Sequence, residues 1–408
     1  MSSNEACRIG LSALVDAYRD PHALYDAARE QGGICFDPAG KCWLVTDYAA
    51  VRRILGDPRF SSDLGRGGPS ASASRPSFIE MAIKRQILFS DGEDHARVQE
   101  AILRESTRRG HSIRPLLRQI ADRLLEPARA RGRIDLVKDF AAPFAAEAIS
   151  LIMGIPLSND EQRDQLRQWS NTFGAVTSGY FRVRVQEIDR LGAFFRDLVR
   201  GRAAHPSDDL IQTLIRDEVF GDEEDLVINC MMIFGAGRVT SQKVLGDGVP
   251  RLLAEWGRWR ELNRGTPGLS RRLAEEMLRA VTPTRHLARY AVETVDLSGE
   301  LPGDHRIGAG DRVILFLEAA NRDGCVFANP HAIVADRHPN PHVAFGFGSH
   351  RCPGAGLARV ELQVALDALL ETFEDLRADP SAAPEWDPNP NLGGYQSFPC
   401  LCAGSSPD

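Results

Sequence analysis

Beyond residue 355 the apolar positions recur with a helical period: Leu362, Ala365, Leu366, Leu369, Leu370 and Phe373 share one stripe. The same period dominates residues 91–276, broken at Pro156, Pro206 and Gly221. Near the start, residues 21–31 read as a helix with Pro21 in its first turn. Residues 34–36 and 42–46 flank the turn Asp37-Pro38-Ala39-Gly40 and predict a hairpin. Asp47 is placed to cap a helix over residues 48–55, ended by Gly56 before Pro58. Residues 61–77, rich in Gly, Ser and Ala, predict a mobile loop over a cavity, because no separate domain follows them. A strand-rich interval covers residues 288–315, with turns at Ser298-Gly299 and Pro302-Gly303, and residues 321–349 are irregular. No internal repeat is present. The pattern predicts a mainly α chain, a large helical body with small β portions near the N-terminus and after residue 288. One domain is expected over residues 1–408, with a flexible N-terminus of about residues 1–18.

Composition narrows the class. The chain has 408 residues, 43% hydrophobic and 26% charged, the balance of a globular protein able to enclose a cofactor-sized cavity. A net charge of −7 argues against a general nucleic-acid binder. The longest apolar run, residues 226–237, is interrupted by Asn229 and falls short of the ~18–20 residues that span a bilayer. The first residues lack a basic start and an apolar core, so no secretory signal is read and a bacterial cytoplasm is the expected setting, with no membrane. Eight cysteines are scattered without a disulfide framework. Cys400-Leu401-Cys402 reads as a C-terminal strand with one exposed thiol, since no second pair at zinc spacing accompanies it.

The chemistry concentrates in Phe345-Gly346-Phe347-Gly348-Ser349-His350-Arg351-Cys352-Pro353-Gly354, the loop of residues 345–354. Its glycines allow close approaches that side chains forbid, and a helix follows at once. A cysteine at that junction faces backbone N–H groups that favour a thiolate. A thiolate is a good axial ligand for haem iron and pushes electron density towards O–O cleavage. In these residues the chain resembles the cytochrome P-450 family, whose signature Phe-Gly-x-Gly-x-His-x-Cys-x-Gly is complete here. Residues 48–60 and 139–156, Asp208-Asp209-Leu210 and Ala320-Asn321-Arg322-Asp323 look like family segments too. The resemblance spans most of residues 20–375 and implies the prism-shaped, mainly α family fold. It implies haem b (iron protoporphyrin IX) with Cys352 as axial ligand. It also implies a monomeric monooxygenase, hydroxylating a small organic molecule of bacterial secondary metabolism with O2. Electrons would come from a separate ferredoxin and ferredoxin reductase. Oxidative radical coupling without oxygen insertion is the alternative, followed by a non-catalytic haem-binding protein.

Other positions match family motifs. Glu276-Met277-Leu278-Arg279 matches Glu-x-x-Arg, whose charges share one helix face, and Arg337 matches the second arginine of the resulting triad; the implied role is structural. The haem propionates imply partners at His95, Arg289 and His350, with Phe345 opening the cysteine loop. The family's arginine four residues after the first histidine is absent, and Gln99 stands there; Arg97 or Gln99 is expected to substitute. Ala236-Gly237-Arg238-Val239-Thr240 aligns with the oxygen-activation motif, but Val239 replaces the acid that relays protons. Either protons reach Thr240 through Ser241, waters or the substrate, or the enzyme needs less proton delivery than a usual hydroxylase; Arg238 is expected in a salt bridge away from the cavity. The implied cavity walls are residues 61–88, 171–181, 233–240, 284–287 and 392–398, including Ile233, Thr284, Arg285, His286 and Leu287. Arg285 and His286 are polar for such a wall, and either contact substrate, turn outward or bond backbone carbonyls. Seven arginines from His95 to Arg123 stand against three acids, a surplus that suits a solvated helix face and equally the docking of an acidic ferredoxin.

Overall fold

The computed structural model describes residues 9–66, 82–110, 112–157, 159–177, 185–299, 301, 303 and 305–404. Residues 67–77 of the expected mobile loop, residues 178–181 of one expected wall and Pro302 of one expected turn lie outside them.

The core is built around the helix Glu223–Gly248. Asp222 caps it by accepting from Asp225 N at 2.7 Å, and Glu223, Glu224 and Asp225 occupy its first turn. Its residues are buried on nearly every side, so it is a core helix rather than an amphipathic surface one. Helices Ala142–Met153, Asp160–Thr177, Val185–Ala204, Leu269–Val281 and Ala355–Thr372 pack around it. The stripe predicted from sequence lies on Ala355–Thr372, with Leu362 and Leu370 each 1% exposed. That stripe is buried mainly against helices Arg114–Arg131 and Leu269–Val281.

The two β portions read separately in the sequence share one sheet. Its order runs Ile34–Asp37, Cys42–Val45, Arg312–Phe316, His286–Ala291, Phe60–Ser61. The hairpin strands are antiparallel, whereas Cys42–Val45 lies parallel to Arg312–Phe316. A three-stranded sheet of Arg133–Asp135, Pro399–Gly404 and Phe373–Ala378 closes the other end. Asp47 caps helix Tyr48–Leu55, accepting from Ala50 N at 2.8 Å.

Three expectations change. Leu11–Asp16 is helical within the segment read as flexible. Cys400 and Cys402 are both buried, at 1% and 9% exposed, because Pro399–Gly404 is the middle strand of its sheet. Cys35 is disulfide-bonded, although no bridge was read from the spacing.

Candidate active site

The cysteine loop is shaped by backbone that only glycine adopts easily. Gly346 and Gly348 have φ of +69° and +75°. A Cβ on Gly348 would sit 2.4 Å from Leu55 O, so the loop presses directly on helix Tyr48–Leu55. Cys352 N donates to Phe345 O at 2.9 Å, which closes the loop, and Ala355 begins the helix behind it. Arg359 lies over the Phe345 ring at 4.6 Å.

Cys352 is exposed, yet protein surrounds it closely enough for loss of hydration to raise its thiol pKa. The two facts are compatible if the thiol faces an internal open space. Backbone N–H groups of Gly354 and Ala355, with Arg359 and Arg351, pull the pKa the other way. A metal cation at Sγ removes the remaining barrier, because coordination deprotonates a thiol.

The central helix offers the matching wall. Ala236 is exposed in the middle of an otherwise buried helix, and Thr240, one turn on, is half-buried. Thr240 Oγ1 donates to Ala236 O at 2.7 Å. Gly237 does something different. A Cβ there would lie 2.7 Å from Ile149 Cδ1, so its smallness serves packing against helix Ala142–Met153. Arg238 is fully buried, donating to Gln242 Oε1 at 2.7 Å and to Asn171 Oδ1. Val239 and Ile233 are half-buried. The next residue, Ser241, donates to Glu361 Oε2 at 2.7 Å across to the cysteine helix.

Three nitrogenous side chains converge nearby without enough anions. The His95 and His350 rings lie 3.9 Å apart. His350 Nε2 reaches Asp91 Oδ1 at 2.9 Å and Ser62 Oγ at 3.2 Å. Arg289 is buried and donates to Ala288 O at 2.8 Å, with no carboxylate in contact among the described residues. Burial, then the His350 charge, lowers His95 to about 4, and burial lowers Arg289 to about 10. Such a cluster suits a dianion such as the two propionates of haem. Arg97 is no part of it, because it turns outward to Asp94 at 3.0 Å. Gln99 donates to Arg351 O at 2.8 Å and so steadies the cysteine loop instead.

Of the expected substrate wall, Thr284 and Leu287 are half-buried, the latter packed against the sheet core. Arg285 is turned away: its Nε stands 3.3 Å from Glu318 Oε2, and it also donates to Tyr18 O. Arg285 thus bonds a backbone carbonyl, one of the alternatives left open for it. His286 is half-buried, its ring 5.6 Å from Phe316, and burial lowers it to about 4. Lys243 and Asp247 stand close by on the stripe of Ala236 and Thr240. Burial lowers the lysine and raises the aspartate, and Lys243 Nζ has no hydrogen-bond partner among the described residues. Lys243, Asp247, Glu318 and Glu361 went unread in the sequence. Charges at i and i+4 inside an apolar helix were the available signal for the first two.

Behind the loop, Glu276 holds both arginines. Arg279 meets its two oxygens at 2.9 Å each, and Arg337 Nε reaches Oε1 at 2.7 Å. Arg279 also donates to Asn321 O, Pro330 O and Ala332 O, tying the irregular segment before the cysteine loop to helix Leu269–Val281.

A cysteine held on a glycine loop, a central helix exposed at Ala236 and tied to the cysteine helix through Ser241 and Glu361, and a cationic pocket at His350 fit the haem-thiolate class of proteins. Comparison with known proteins agrees. Residues 271–391 match the family model described as Cytochrome P-450. The chain is 32% identical over 405 residues to cytochrome P-450 107B1 of Saccharopolyspora erythraea, covering 95% of this chain and 97% of that one. It is 33% identical over 369 residues to mycinamicin IV hydroxylase/epoxidase of Micromonospora griseorubida, covering 88% and 89%. The crystal structure of the cytochrome P-450 BioI with an acyl carrier protein ligated to hexadec-9Z-enoic acid superimposes with a TM-score of 0.83 at 28% identity, covering 95% and 99%. The chain belongs to the cytochrome P-450 family, and it is a haem-iron monooxygenase. No helix among the described residues is long and apolar enough to cross a membrane.

Proposed function

We propose that the chain inserts one oxygen atom of O2 into a small organic molecule of bacterial secondary metabolism, most simply as a hydroxylation. The cofactor in this reading is haem b, which Cys352 would hold through its thiolate while His95, His350 and Arg289 would partner its propionates. Haem so bound supplies oxygen activation, and the chain supplies everything around it. Phe345 and Gly354 fix the thiol, Arg359 braces Phe345, and the glycine-lined contact with Leu55 keeps the loop in place. On the other wall Ala236 leaves room, and Thr240 presents a hydroxyl whose hydrogen is committed to the Ala236 carbonyl, so its lone pairs face outward as acceptors. Electrons from a ferredoxin and its reductase, a cytoplasmic setting, a monomeric state and one domain over residues 1–408 belong to the same proposal.

The observation that carries it is Cys352 on its glycine loop, exposed although the surrounding protein raises its thiol pKa by loss of hydration. A reduced, CO-bound absorption spectrum of wild type beside Cys352→Ser tests the ligand: the haem-thiolate Soret band is expected in wild type and absent in the variant. Val239, which cannot carry a proton, keeps oxidative coupling as the second reading. Turnover under isotopically labelled O2 separates them, since label in the product requires insertion and a coupled product without label requires the alternative.

A further inference from the structure

The central helix carries a cation that the chain around it does not answer. Lys243 is 5% exposed, and its Nζ has no hydrogen-bond partner among the described residues. An unpaired ammonium held out of water is costly, and buried groups so perturbed gather at functional sites. We propose that Lys243 anchors the substrate through a carboxylate, so that the molecule oxidised is an organic acid held by its acid end. The inference rests on the proposed oxygen chemistry and names its substrate class.

Three of the walls expected from sequence meet near this amine. Lys243 stands on the helix stripe of Ala236 and Thr240, one turn beyond Thr240. The charges that act on it belong to Asp247 on the same helix, to Arg285 in the wall 284–287 and its neighbour Glu318, and to Asp387 ahead of the wall 392–398. Those two walls are joined: Arg285 N donates to Asn391 O at 3.3 Å, and His286 N donates to Asn391 Oδ1 at 3.1 Å. Asp247 Oδ1 accepts from Tyr395 N at 2.8 Å and fastens the same segment to the helix.

The acids that act on Lys243 are committed elsewhere. Glu318 Oε2 stands 3.3 Å from Arg285 Nε and 3.4 Å from the Tyr25 hydroxyl, and Asp387 Oδ1 accepts from Asn389 N at 2.9 Å. Arg285 is spent on Glu318 and Tyr18 O. His286 stays neutral, since burial and then the Arg285 charge lower it to about 4. Burial lowers Lys243 to about 7, and the Arg285 charge acts the same way. An anion arriving at Nζ opposes that shift and keeps the lysine charged.

One orphan ammonium calls for one negative charge. A carboxylate balances it, whereas a phosphate dianion would leave surplus negative charge beside Asp247, Glu318 and Asp387. At a rise of ~1.5 Å per residue, Lys243 lies about 4.5 Å beyond Thr240 along the helix. A substrate held there by its carboxylate offers Ala236 and Thr240 carbons several bonds from the acid group, so oxidation falls away from the carboxyl end. Lys243 takes no part in the bonds made and broken; it selects the substrate and places it.

The test uses the haem-loaded full chain and three acid–amide pairs: decanoate with decanamide, naphthylacetate with naphthylacetamide, and cinnamate with cinnamide. Calorimetric titration gives an affinity for each on wild type, Lys243→Met and Lys243→Gln. At least one acid should bind wild type on the order of 10-fold more tightly than its amide, the gain of one charge-assisted hydrogen bond. Both variants should lose that preference through weaker acid binding, with amide affinity unchanged. Reduced ferredoxin and O2 add a second readout. Oxygen should enter the preferred acid at carbons remote from the carboxyl in wild type, and at more scattered positions in Lys243→Met. Acid preference with no oxygenated product would strike the oxygen chemistry and leave the acid site standing. Equal affinities for acid and amide in all three pairs, no binding of any acid, or an acid preference that survives both substitutions overturns the acid site alone. Tighter binding of decyl phosphate than of decanoate overturns the choice of a carboxylate.

Discussion

The imidazole rings of His95 and His350 lie 3.9 Å apart with 39° between their planes, and the buried Arg289 guanidinium bears on both. Three potential cations crowd a site where Asp91 is the one carboxylate in contact among the described residues, and the electrostatic consequence is measurable before any cofactor is added. His95 is lowered from 6.5 to about 4, by burial first and by His350 second. The unfolded chain therefore takes up a proton near 6.5 that the folded chain refuses until about pH 4.

Stability of the haem-free protein should accordingly be level above about pH 6.5 and decline as pH falls towards 4. Urea unfolding at a series of pH values reads this directly. His95→Gln should flatten the acid limb, and an unchanged limb would place its origin elsewhere. In the loaded protein, Arg289→Gln should speed haem transfer to an excess of acceptor apo-globin by on the order of 10-fold, the cost of one charge-assisted contact.

The Glu276 triad makes a second prediction. Arg279 is 0% exposed and Glu276 1%, so removing either partner strands a charge in the core. Arg279→Lys keeps the charge but loses the fork that meets both carboxylate oxygens and three backbone carbonyls. A loss of about 3–5 kcal/mol is expected by chemical denaturation. A variant within about 1 kcal/mol of wild type would mean that the irregular segment does not depend on this clasp.

The contrast between these residues and the unread ones shows what sequence conveys. Glu276, Arg279 and Cys352 sit in fixed local spacings, and the stripe from Leu362 to Phe373 repeats with the helix, so one short window carries each. The sheet was half legible: both β portions were visible, but the parallel pairing of Cys42–Val45 with Arg312–Phe316 joins strands far apart in sequence, and no local pattern encodes it. Glu361 and Glu318 belong to the same case, since their meaning lies in partners, Ser241 and Arg285, that only the fold brings near. Gly237 was visible only as part of the aligned oxygen-activation motif, whereas the room left by its missing Cβ is filled by Ile149, a partner that the fold supplies.

Arg285 and Glu318, 5% exposed in each side chain, form a buried pair near Lys243, whose Nζ has no hydrogen-bond partner among the described residues. Glu318→Gln should cost about 3–5 kcal/mol, because Arg285 and Lys243 are then left facing one another's charge. Arg285→Met/Glu318→Gln together should recover part of that loss. A double-mutant cycle measures the coupling, and strict additivity would show that the pair is not felt.

The last prediction concerns electron delivery, and it moves the docking face. The arginines expected from sequence to receive a ferredoxin are engaged within the chain: Arg108 holds Glu105 at 2.7 Å and Asp208 at 2.6 Å, and Arg104, Arg118 and Arg123 pair with Asp217, Glu371 and Glu147. Their surplus charge is largely spent internally. The outer side of the cysteine loop differs. Phe347 is 36% exposed, Arg52 lies over its ring at 4.4 Å, Arg351 is exposed, and a hollow of about 450 Å³ is lined by Tyr48, Ala49, Arg52, Arg53, Gly56 and Phe347. An aromatic side chain rimmed by arginines beside the thiolate loop gives an acidic partner both steering charge and an apolar anchor. Arg52→Glu should slow reduction by ferredoxin by on the order of 10-fold at low salt, with the difference shrinking as ionic strength rises and the Debye length falls to about 8 Å. Phe347→Ala should slow it at every ionic strength, since the anchor is not screened. Arg108→Glu should leave the salt dependence of reduction as in wild type and instead lower thermal stability, because it repels Glu105 and Asp208. Stopped-flow reduction at two salt concentrations settles the matter: rates for Arg52→Glu equal to wild type at both would exclude this face, and a salt-dependent loss confined to Arg108→Glu would return docking to the helix Gly92–Arg109.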